Sequence, residues 1–202
     1  MNKFKDNFIN KNSNKSDKRF LDDYYSRYQK ILFDSRDDNS ILKLRNAIYE
    51  TNLNKGKLIF IGNGASASLA SHAATDFTKQ AKIPSIAFND HNLITALSND
   101  YGYRNWVAKA IEFYSVPNDM VIFISVSGES SNLLEGIDFA KKRALSTASL
   151  TGASKTNSLK KKSEYSLWVN SKAYNIVESI HTIWITLIID LFVGSPEYIV
   201  NT

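Results

Sequence analysis

The chain of 202 residues contains no cysteine. This absence excludes disulfide frameworks, zinc sites built from thiolates and cysteine nucleophiles, and it is consistent with a reducing compartment. No apolar run approaches the roughly 18 to 20 residues of a membrane span, and the first residues lack the apolar core of a signal peptide. We therefore expect a soluble, cytoplasmic protein with no membrane partner.

Charge of one sign dominates only weakly, because the formal net charge is +5. Residues 1–30 hold eight Lys and Arg against four Asp and Glu, in a segment rich in Asn and Ser. A second basic run, residues 160–162, lies among turn-forming residues. Neither segment shows interleaved aromatic and basic residues or a nucleic-acid motif, so we expect a solvated surface and no nucleic-acid partner.

Glycine and proline are absent from residues 16–50. Apolar side chains recur there at three- and four-residue steps, as in Phe20, Tyr24 and Tyr28. This spacing predicts two amphipathic helices that pack on a partner.

Beyond residue 56 the pattern changes to short apolar runs separated by helical stretches. Five such runs alternating with helices predict a parallel sheet covered on both faces, an α/β fold. Ligands of open parallel sheets bind beyond the carboxyl ends of the strands, so we expect the chemistry just after each run. The predicted strands are residues 57–61, 85–88, 120–125, 147–151 and 165–169, and the predicted helices are residues 65–80, 105–114, 131–142 and 174–193.

Polar residues follow the first and third apolar runs, at turns into helices. Residues 62–66 include two glycines that permit close backbone approach, and the next helix presents unpaired N–H groups to an anion, although an ordinary tight turn has the same composition. Residues 125–132 place four hydroxyl groups around one glycine, which suits phosphate oxygens; the alternative is helix capping by Ser130 or Ser131. Between them, residues 90–92 and 97–103 form a predicted loop that is either a sugar-binding segment or only a turn.

Three stretches in this order closely resemble the motifs of phosphoheptose isomerases, whose domain is the sugar isomerase (SIS) domain: GNGAS (62–66), LSNDYGY (97–103) and ISVSGESSN (124–132). The similarity runs from about residue 57 to residue 193. It implies a SIS-type five-stranded parallel sheet flanked by helices, a flavodoxin-like or Rossmann-like three-layer sandwich. It also implies substrate-binding positions at Asn63, Gly64, Ala65, Ser66, Asn99, Asp100, Ser125, Val126, Ser127, Ser130 and Glu178.

The resemblance sets the expected domain organisation. We assign residues 1–16 to a flexible basic tail and residues 17–202 to a single SIS domain. Its N-terminal helical extension covers about residues 17–50, and in the family such helices build a bundle between the subunits of a homotetramer.

The implied reaction interconverts sedoheptulose 7-phosphate and D-glycero-D-manno-heptose 7-phosphate through an enediol-like species, which requires an acid and a base. In the family these are a Glu on the first long helix and a His on the last. Here Asp76 and Thr186 stand at those positions, and Thr cannot act as an acid or base near neutral pH. We therefore take Asp76 and Glu178 as the catalytic candidates. His181 matches a family histidine with its own position, near the subunit interface.

Some family members bind a divalent metal ion at these positions. His72, Asp76 and Glu178 form a candidate set of ligands for Zn²⁺ or a similar ion, although His72 alone could be a buried or interface histidine. The changes at positions 76 and 186 leave two other functions open. One is a catalytically silent phosphosugar-binding or protein-interaction regulator, similar to the replication-initiator-associating SIS proteins, and the other is an isomerase for a different sugar phosphate.

Overall fold

The structure, a computed structural model, describes residues 14–34 and 36–196. The described residues form two compact units, one up to Arg36 and the other from Asp37 onward. In the first unit, α1 (Asn14–Gln29) continues into a π-helical segment (Lys30–Asp34). Tyr24 lies between Phe20 and Tyr28 on one face of α1, with ring centroids 6.2 and 5.2 Å away. This face is the apolar stripe predicted from the three- and four-residue spacing.

The predicted N-terminal organisation falls across both units. Because α1 begins at Asn14, residues 14–16 of the predicted tail are helical, and residues 1–13 lie outside the described residues. The second predicted helix is α2 (Asp38–Leu53), which belongs to the second unit. Asp37 caps it, since its carboxylate accepts a hydrogen bond from the Ser40 amide at 3.1 Å.

Five parallel strands form the sheet of the second unit, in the order β2-β1-β3-β4-β5. The predicted parallel α/β architecture is confirmed, and each predicted strand is present to within a residue at either end. The strands are β1 (Leu58–Gly62), β2 (Ser85–Ala87), β3 (Met120–Ser125), β4 (Ser146–Thr151) and β5 (Tyr165–Trp168). The helices that follow α2 are α3 (Ala65–Lys79), α4 (His91–Tyr101), α5 (Trp106–Tyr114), α6 (Ser131–Lys142), α7 (Ser158–Lys162) and α8 (Tyr174–Val193).

Helices cover both faces of the sheet, and alternate side chains of each strand point to opposite layers. Ile59 and Phe123 belong to the core beneath α5 and α6, together with Trp106. On the other face, Phe60 stacks on Phe77 of α3, with ring centroids 5.5 Å apart. β1 and β3 are buried on both faces and are almost continuously apolar. β4 is buried from Thr147 onward, although four of its six residues are Ser or Thr.

Two helices were not predicted from the sequence. Residues 91–101, which we expected to lie in a loop, form α4, because Asp90 caps that helix by accepting hydrogen bonds from the Asn92 and Leu93 amides. The basic run at residues 160–162 lies in the short helix α7, where the side chain of Asn157 accepts a hydrogen bond from the Lys160 amide.

Helix α8 corrects the expectation that no segment approaches the length of a membrane span. Its 20 residues are long and apolar enough to cross a membrane. However, 44% of the apolar window is buried within the chain, and α8 packs against α2, α3 and β4. Length and composition alone do not distinguish a membrane span from a core helix, and these packing contacts place α8 against the sheet.

A buried ion pair joins the amino ends of β1 and β3. The Asp119 side chain is fully buried, and it accepts a hydrogen bond from the Lys57 ammonium at 2.6 Å. It also accepts from the backbone amides of Lys57 and Val116, at 2.9 and 2.8 Å. The carboxylate is therefore satisfied by one cation and two amides, which offsets the cost of its burial.

We expect Asp119→Ala to destabilise the fold by about 3 kcal/mol, because it leaves the Lys57 ammonium and two amides without their acceptor. Urea denaturation measures the change in the free energy of unfolding. The control is Glu112→Ala, which breaks a surface pair with Lys109 and should cost less than about 0.5 kcal/mol. Equal losses in the two variants would show that Asp119 does not stabilise the sheet in this way.

Candidate functional site

A cavity of about 280 Å³ opens at the carboxyl edge of the sheet, where β1 and β3 lie side by side. Helix α3 begins at one side of it, after the turn that follows β1, and α6 begins at the other side, after the loop that follows β3. The residues lining the cavity are Asn63, Gly64, Ala65, Ser66, Ile124, Ser125, Val126, Ser127, Ser130, Tyr174 and Glu178.

Both helix N-termini at this cavity lack a side-chain cap. Gly64 occupies the cap position of α3 and Ser130 that of α6, and neither makes a side-chain hydrogen bond to the first turn of its helix. The alternative that Ser130 simply caps α6 is therefore not supported. Uncapped N–H groups and the positive ends of two helix dipoles favour an anion in the cavity between them.

The loop between β3 and α6 is held in shape by its own hydroxyl groups. Ser125 Oγ accepts a hydrogen bond from the Gly128 amide at 3.1 Å, and Ser127 Oγ accepts from the Glu129 amide at 3.2 Å. Gly128 has a φ of +67°, and a Cβ atom there would collide with the side chain of Asn157. Both the turn and the close approach of Asn157 therefore require glycine at this position.

Glu129 is the one carboxylate within this serine-rich loop. Its Oε1 accepts a hydrogen bond from the Ser158 amide at 2.8 Å, at the start of α7. The negative charge is thus directed to another helix N-terminus, and Glu129 does not line the cavity. The loop therefore presents hydroxyl and amide groups to the cavity without a carboxylate of its own.

A second cavity of about 420 Å³ lies between α3 and α8, and it shares a wall with the first. Ala65, Ser66 and Glu178 line both cavities. The remaining lining residues are Ser68, Leu69, His72, Ser179, His181 and Thr182. Glu178 thus lies where the first cavity meets a second cavity that is lined by imidazole side chains.

The two remaining residues of the candidate metal-ligand set, His72 and Asp76, lie one turn apart on α3. His72 Nε2 is 3.1 Å from Asp76 Oδ2, and Asp76 lines neither cavity. The Asp76 carboxylate also affects Asp190 of α8. Burial of Asp190 raises the pKa of its carboxyl group, and the negative charge of Asp76 raises it further. Asp190 is twelve residues beyond Glu178, or ~18 Å along a helix.

This separation corrects the predicted three-ligand metal site. Across residues 14–34 and 36–196, no group of three or more His, Cys, Asp or Glu side chains is close enough to hold a metal ion. Asp76 faces the far end of α8, whereas Glu178 lies near its beginning. His72, Asp76 and Glu178 of one chain therefore do not converge on one ion, and we derive no step through a bound metal.

Thr186, at the position of the family's acid–base histidine, directs its hydroxyl into its own helix. Thr186 Oγ1 donates a hydrogen bond to the Thr182 carbonyl at 3.0 Å. This is the usual way in which a threonine within a helix satisfies its hydroxyl group. Thr186 therefore supplies no proton donor to either cavity.

Not all the predicted site residues line the first cavity. Asn99 and Asp100 lie at the exposed C-terminal end of α4, where Asn99 Nδ2 donates to Asp100 Oδ1 at 3.0 Å, and their role in binding stays a prediction. Sequence reasoning missed Tyr174, which lines the cavity, and Tyr103, whose hydroxyl donates to Asn63 Oδ1 at 3.2 Å. The LSNDYGY motif contains Tyr103, but no local pattern indicates its contact with residue 63.

His181 is completely buried, between α8 and the end of β4. Burial lowers the pKa of His181 to about 4, and the backbone of Thr151 opposes this shift only in part. The imidazole is thus neutral at neutral pH. It belongs to the packing of α8, one turn after Glu178.

The sequence profile of the SIS domain family matches residues 23–152. Phosphoheptose isomerase of Helicobacter pylori (strain HPAG1) is 37% identical over 147 residues, which cover 70% of this chain and 76% of that protein. Phosphoheptose isomerase of Thermodesulfovibrio yellowstonii is 36% identical over 153 residues, covering 72% and 76%. The structure of a phosphoheptose isomerase from Francisella tularensis superposes with a TM-score of 0.79 at 22% identity, covering 89% of this chain and 100% of that chain.

We expect the folded protein to lose about 2 kcal/mol of stability through His181 when the pH falls from about 7 to about 5. The unfolded histidine binds a proton below its ordinary pKa of 6.5, whereas the buried ring does so only near 4. Between these two pKa values the histidine binds a proton in the unfolded chain but not in the folded one, so acidification favours unfolding. The stability that the neutral ring contributes above pH 6.5 is therefore lost as the pH falls. In His181→Gln this part of the pH dependence should be missing from the unfolding free energy.

The matched control is His91→Gln, since His91 is exposed at the start of α4. Its unfolding free energy should follow that of the unmodified protein from about pH 7 to about pH 5. The assignment of a buried neutral imidazole is wrong if the unfolding free energies of the unmodified protein and of His181→Gln change with pH in parallel.

Proposed function

Because this chain belongs to the SIS domain family and, within it, to the phosphoheptose isomerases, we propose that it interconverts the ketose and aldose forms of a phosphorylated sugar. The substrate pair is sedoheptulose 7-phosphate and D-glycero-D-manno-heptose 7-phosphate. The observation that carries the proposal is the cavity between two uncapped helix N-termini, with Glu178 on the wall that it shares with a second cavity.

In this proposal the phosphate group binds in the first cavity. Ser127 and Ser130 offer hydroxyl groups, and the N-termini of α3 and α6 offer amides and a positive dipole. The ligand's charge is then matched without a lysine or arginine, since no basic side chain lines this cavity among the described residues. The sugar chain extends past Ala65 and Ser66 into the second cavity, where hydroxyl-bearing side chains and His72 can bind its oxygens.

The isomerisation moves one proton between adjacent carbons. Starting from the ketose, Glu178 takes a proton from the carbon next to the carbonyl, and an enediol forms. The same carboxyl group then returns the proton to the neighbouring carbon, which was the carbonyl carbon. His72 lines the same cavity and completes the transfer between the two substrate oxygens. Asp76 lies against the His72 ring and orients it.

This assignment separates the two catalytic candidates. Glu178 lines both cavities, whereas Asp76 lines neither, so Glu178 is the proposed base and Asp76 acts through His72. Glu178 also remains a proposed contact for the sugar, as do Asn63, Ser66 and Ser125.

Two observations favour a second candidate function, a phosphosugar sensor without catalysis. Asp76 and Thr186 replace the family's acid–base pair, and the Thr186 hydroxyl is bonded within α8. The phosphate-binding features would be retained in a sensor, because ligand binding alone requires them. Turnover of a sugar phosphate, either sedoheptulose 7-phosphate or a different one, distinguishes an isomerase from a sensor.

The first experiment is an NMR assay with sedoheptulose 7-phosphate, with and without Zn²⁺, that follows both ligand binding and the appearance of the aldose. For an isomerase we expect Glu178→Gln to lower kcat at least about 100-fold, because a positioned base contributes 10²–10⁴-fold. Asp76→Asn should lower kcat less, by roughly tenfold, since it acts through another residue. Binding without turnover in the unmodified protein, under both metal conditions, would reject the isomerase and support the sensor.

The control for these variants is Glu112→Gln, an exposed carboxylate on α5 that lies far along the chain from both cavities. It should leave kcat and ligand binding unchanged. If Asp76→Asn reduces kcat more than Glu178→Gln does, the roles of the two carboxylates are reversed.

We also propose that the protein forms a homotetramer in the cytoplasm. Support comes from an apolar stripe on α8, where Ile183, Leu187 and Leu191 recur at four-residue steps and remain 37–41% exposed. An exposed stripe at helical spacing is typical of a helix that packs on another helix. The absence of cysteine is consistent with the reducing conditions of the cytoplasm.

Leu187→Glu places a charge in this stripe, and we expect it to reduce the tetramer to smaller species. Size-exclusion chromatography with light scattering measures the mass. The control is Val116→Glu, at an exposed apolar position outside α8 and α2. A Leu187→Glu variant that retains the mass of the unmodified protein would exclude the α8 stripe as the interface.

A further inference from the structure

Tyr103 connects two parts of the candidate site that are far apart in the sequence. It lies in the short connection between α4 and α5, and its hydroxyl donates a hydrogen bond to Asn63 Oδ1 at 3.2 Å. Asn63 belongs to the turn between β1 and α3, and it lines the phosphate-binding cavity. Tyr103 itself does not line that cavity.

The Asn63 amide is also paired with a second amide. Asn63 Nδ2 donates to Asn132 Oδ1 at 3.1 Å, and Asn132 Nδ2 donates back to Asn63 Oδ1 at 3.0 Å. Asn132 is 1% exposed and lies in the first turn of α6. This reciprocal pair therefore links the two turns that flank the cavity.

The hydrogen-bonding capacity of Asn63 is then almost fully used. A carboxamide oxygen accepts two hydrogen bonds and its nitrogen donates two. The oxygen accepts from Asn132 and Tyr103, and the nitrogen donates once, to Asn132. The group that remains for a ligand is the second N–H of Asn63, so this side chain acts toward the cavity as a donor.

Tyr103 is held in place without help from a ligand. Its neighbour Arg104 donates from Nε and Nη2 to Glu135 Oε1 on α6, at 2.8 and 2.6 Å. Asn105 Nδ2 donates to the Tyr101 carbonyl at 2.9 Å. The connection between α4 and α5 is therefore tied to α6, the helix that also carries Asn132.

The Tyr103 side chain is 56% exposed, so its hydroxyl is not needed to fill the core. We infer that Tyr103 is a positioning residue: its hydroxyl holds the Asn63 carboxamide so that the free N–H points to an acceptor oxygen of a bound phosphorylated sugar. The inference rests on the proposed function. It adds a residue from the α4–α5 connection to a site otherwise built from two turns and α8.

The test compares Tyr103→Phe with the unmodified protein in calorimetric titrations with sedoheptulose 7-phosphate. Removing the hydroxyl leaves the ring in place and removes one of the three hydrogen bonds that hold the Asn63 amide. We expect the Kd to rise about 3- to 10-fold, which is the range for one hydrogen bond. In the NMR assay the loss should appear in KM rather than in kcat, since binding and not proton transfer is affected.

The matched control is Tyr101→Phe. Tyr101 is 40% exposed in the same region, and its ring contacts are with Phe113 and Lys109, not with the cavity. Its Kd should equal that of the unmodified protein. Thermal unfolding of all variants should give the same midpoint within about one degree, because an exposed hydroxyl contributes little to stability.

A double-mutant cycle with Asn63→Ala shows whether Tyr103 acts through Asn63. In the Asn63→Ala background, Tyr103→Phe should change the Kd less than twofold. Independent effects of the two substitutions would overturn the inference, and so would a Tyr103→Phe variant that binds as tightly as the unmodified protein. If the unmodified protein binds no sugar phosphate, the proposed function itself fails, which is a different and separately visible result.

Discussion

The parallel pairing of β1 with β3 is the constraint on which the candidate site depends. Its register places Gly62 opposite Ile124, so the turn after β1 and the loop after β3 begin at the same edge of the sheet. The chain then continues into α3 on one face and α6 on the other, and the crevice opens where the strand order reverses. Two helix N-termini consequently meet at one cavity, and the positive ends of both helix dipoles lie beside it. The serine hydroxyls and the Asn63–Asn132 pair matter because this pairing brings them together.

The position of α8 decides where the Glu178 carboxylate lies. At Gly152, which follows β4, a Cβ atom would come within 2.7 and 2.8 Å of the two γ-carbons of Val177. Only glycine lets α8 approach the sheet so closely, and the residue after Val177 is Glu178. The buried His181 continues the same contact one turn further along. The wall between the two cavities therefore follows from backbone packing at the end of β4.

The resemblance places the acid–base pair of phosphoheptose isomerases at residues 76 and 186, which are Asp and Thr in this chain. The Asp76 carboxylate contacts His72 on its own helix, and its charge acts on Asp190. Thr186 offers no imidazole, and its hydroxyl bonds within α8. The chain is thus left with Glu178 at the junction of the cavities and with an imidazole on α3. Neither Asp76 nor Thr186 lines the first cavity, so its hydroxyl and amide groups do not depend on these two positions.

The sequence by itself determined the strands, most of the helices and the two turns that line the first cavity, because these depend on local periodicity and on glycine and serine at fixed positions. It did not reveal α4, since the polar residues of its last turn obscured an apolar pattern that begins after the Asp90 cap. Nor could it show that Asp76 of α3 acts on Asp190 and lines neither cavity beside Glu178, or that Tyr103 reaches Asn63 across 40 residues. Those distances are set by how helices pack on the sheet. Only the tertiary structure decides them, because packing joins residues whose separation along the chain carries no local signal.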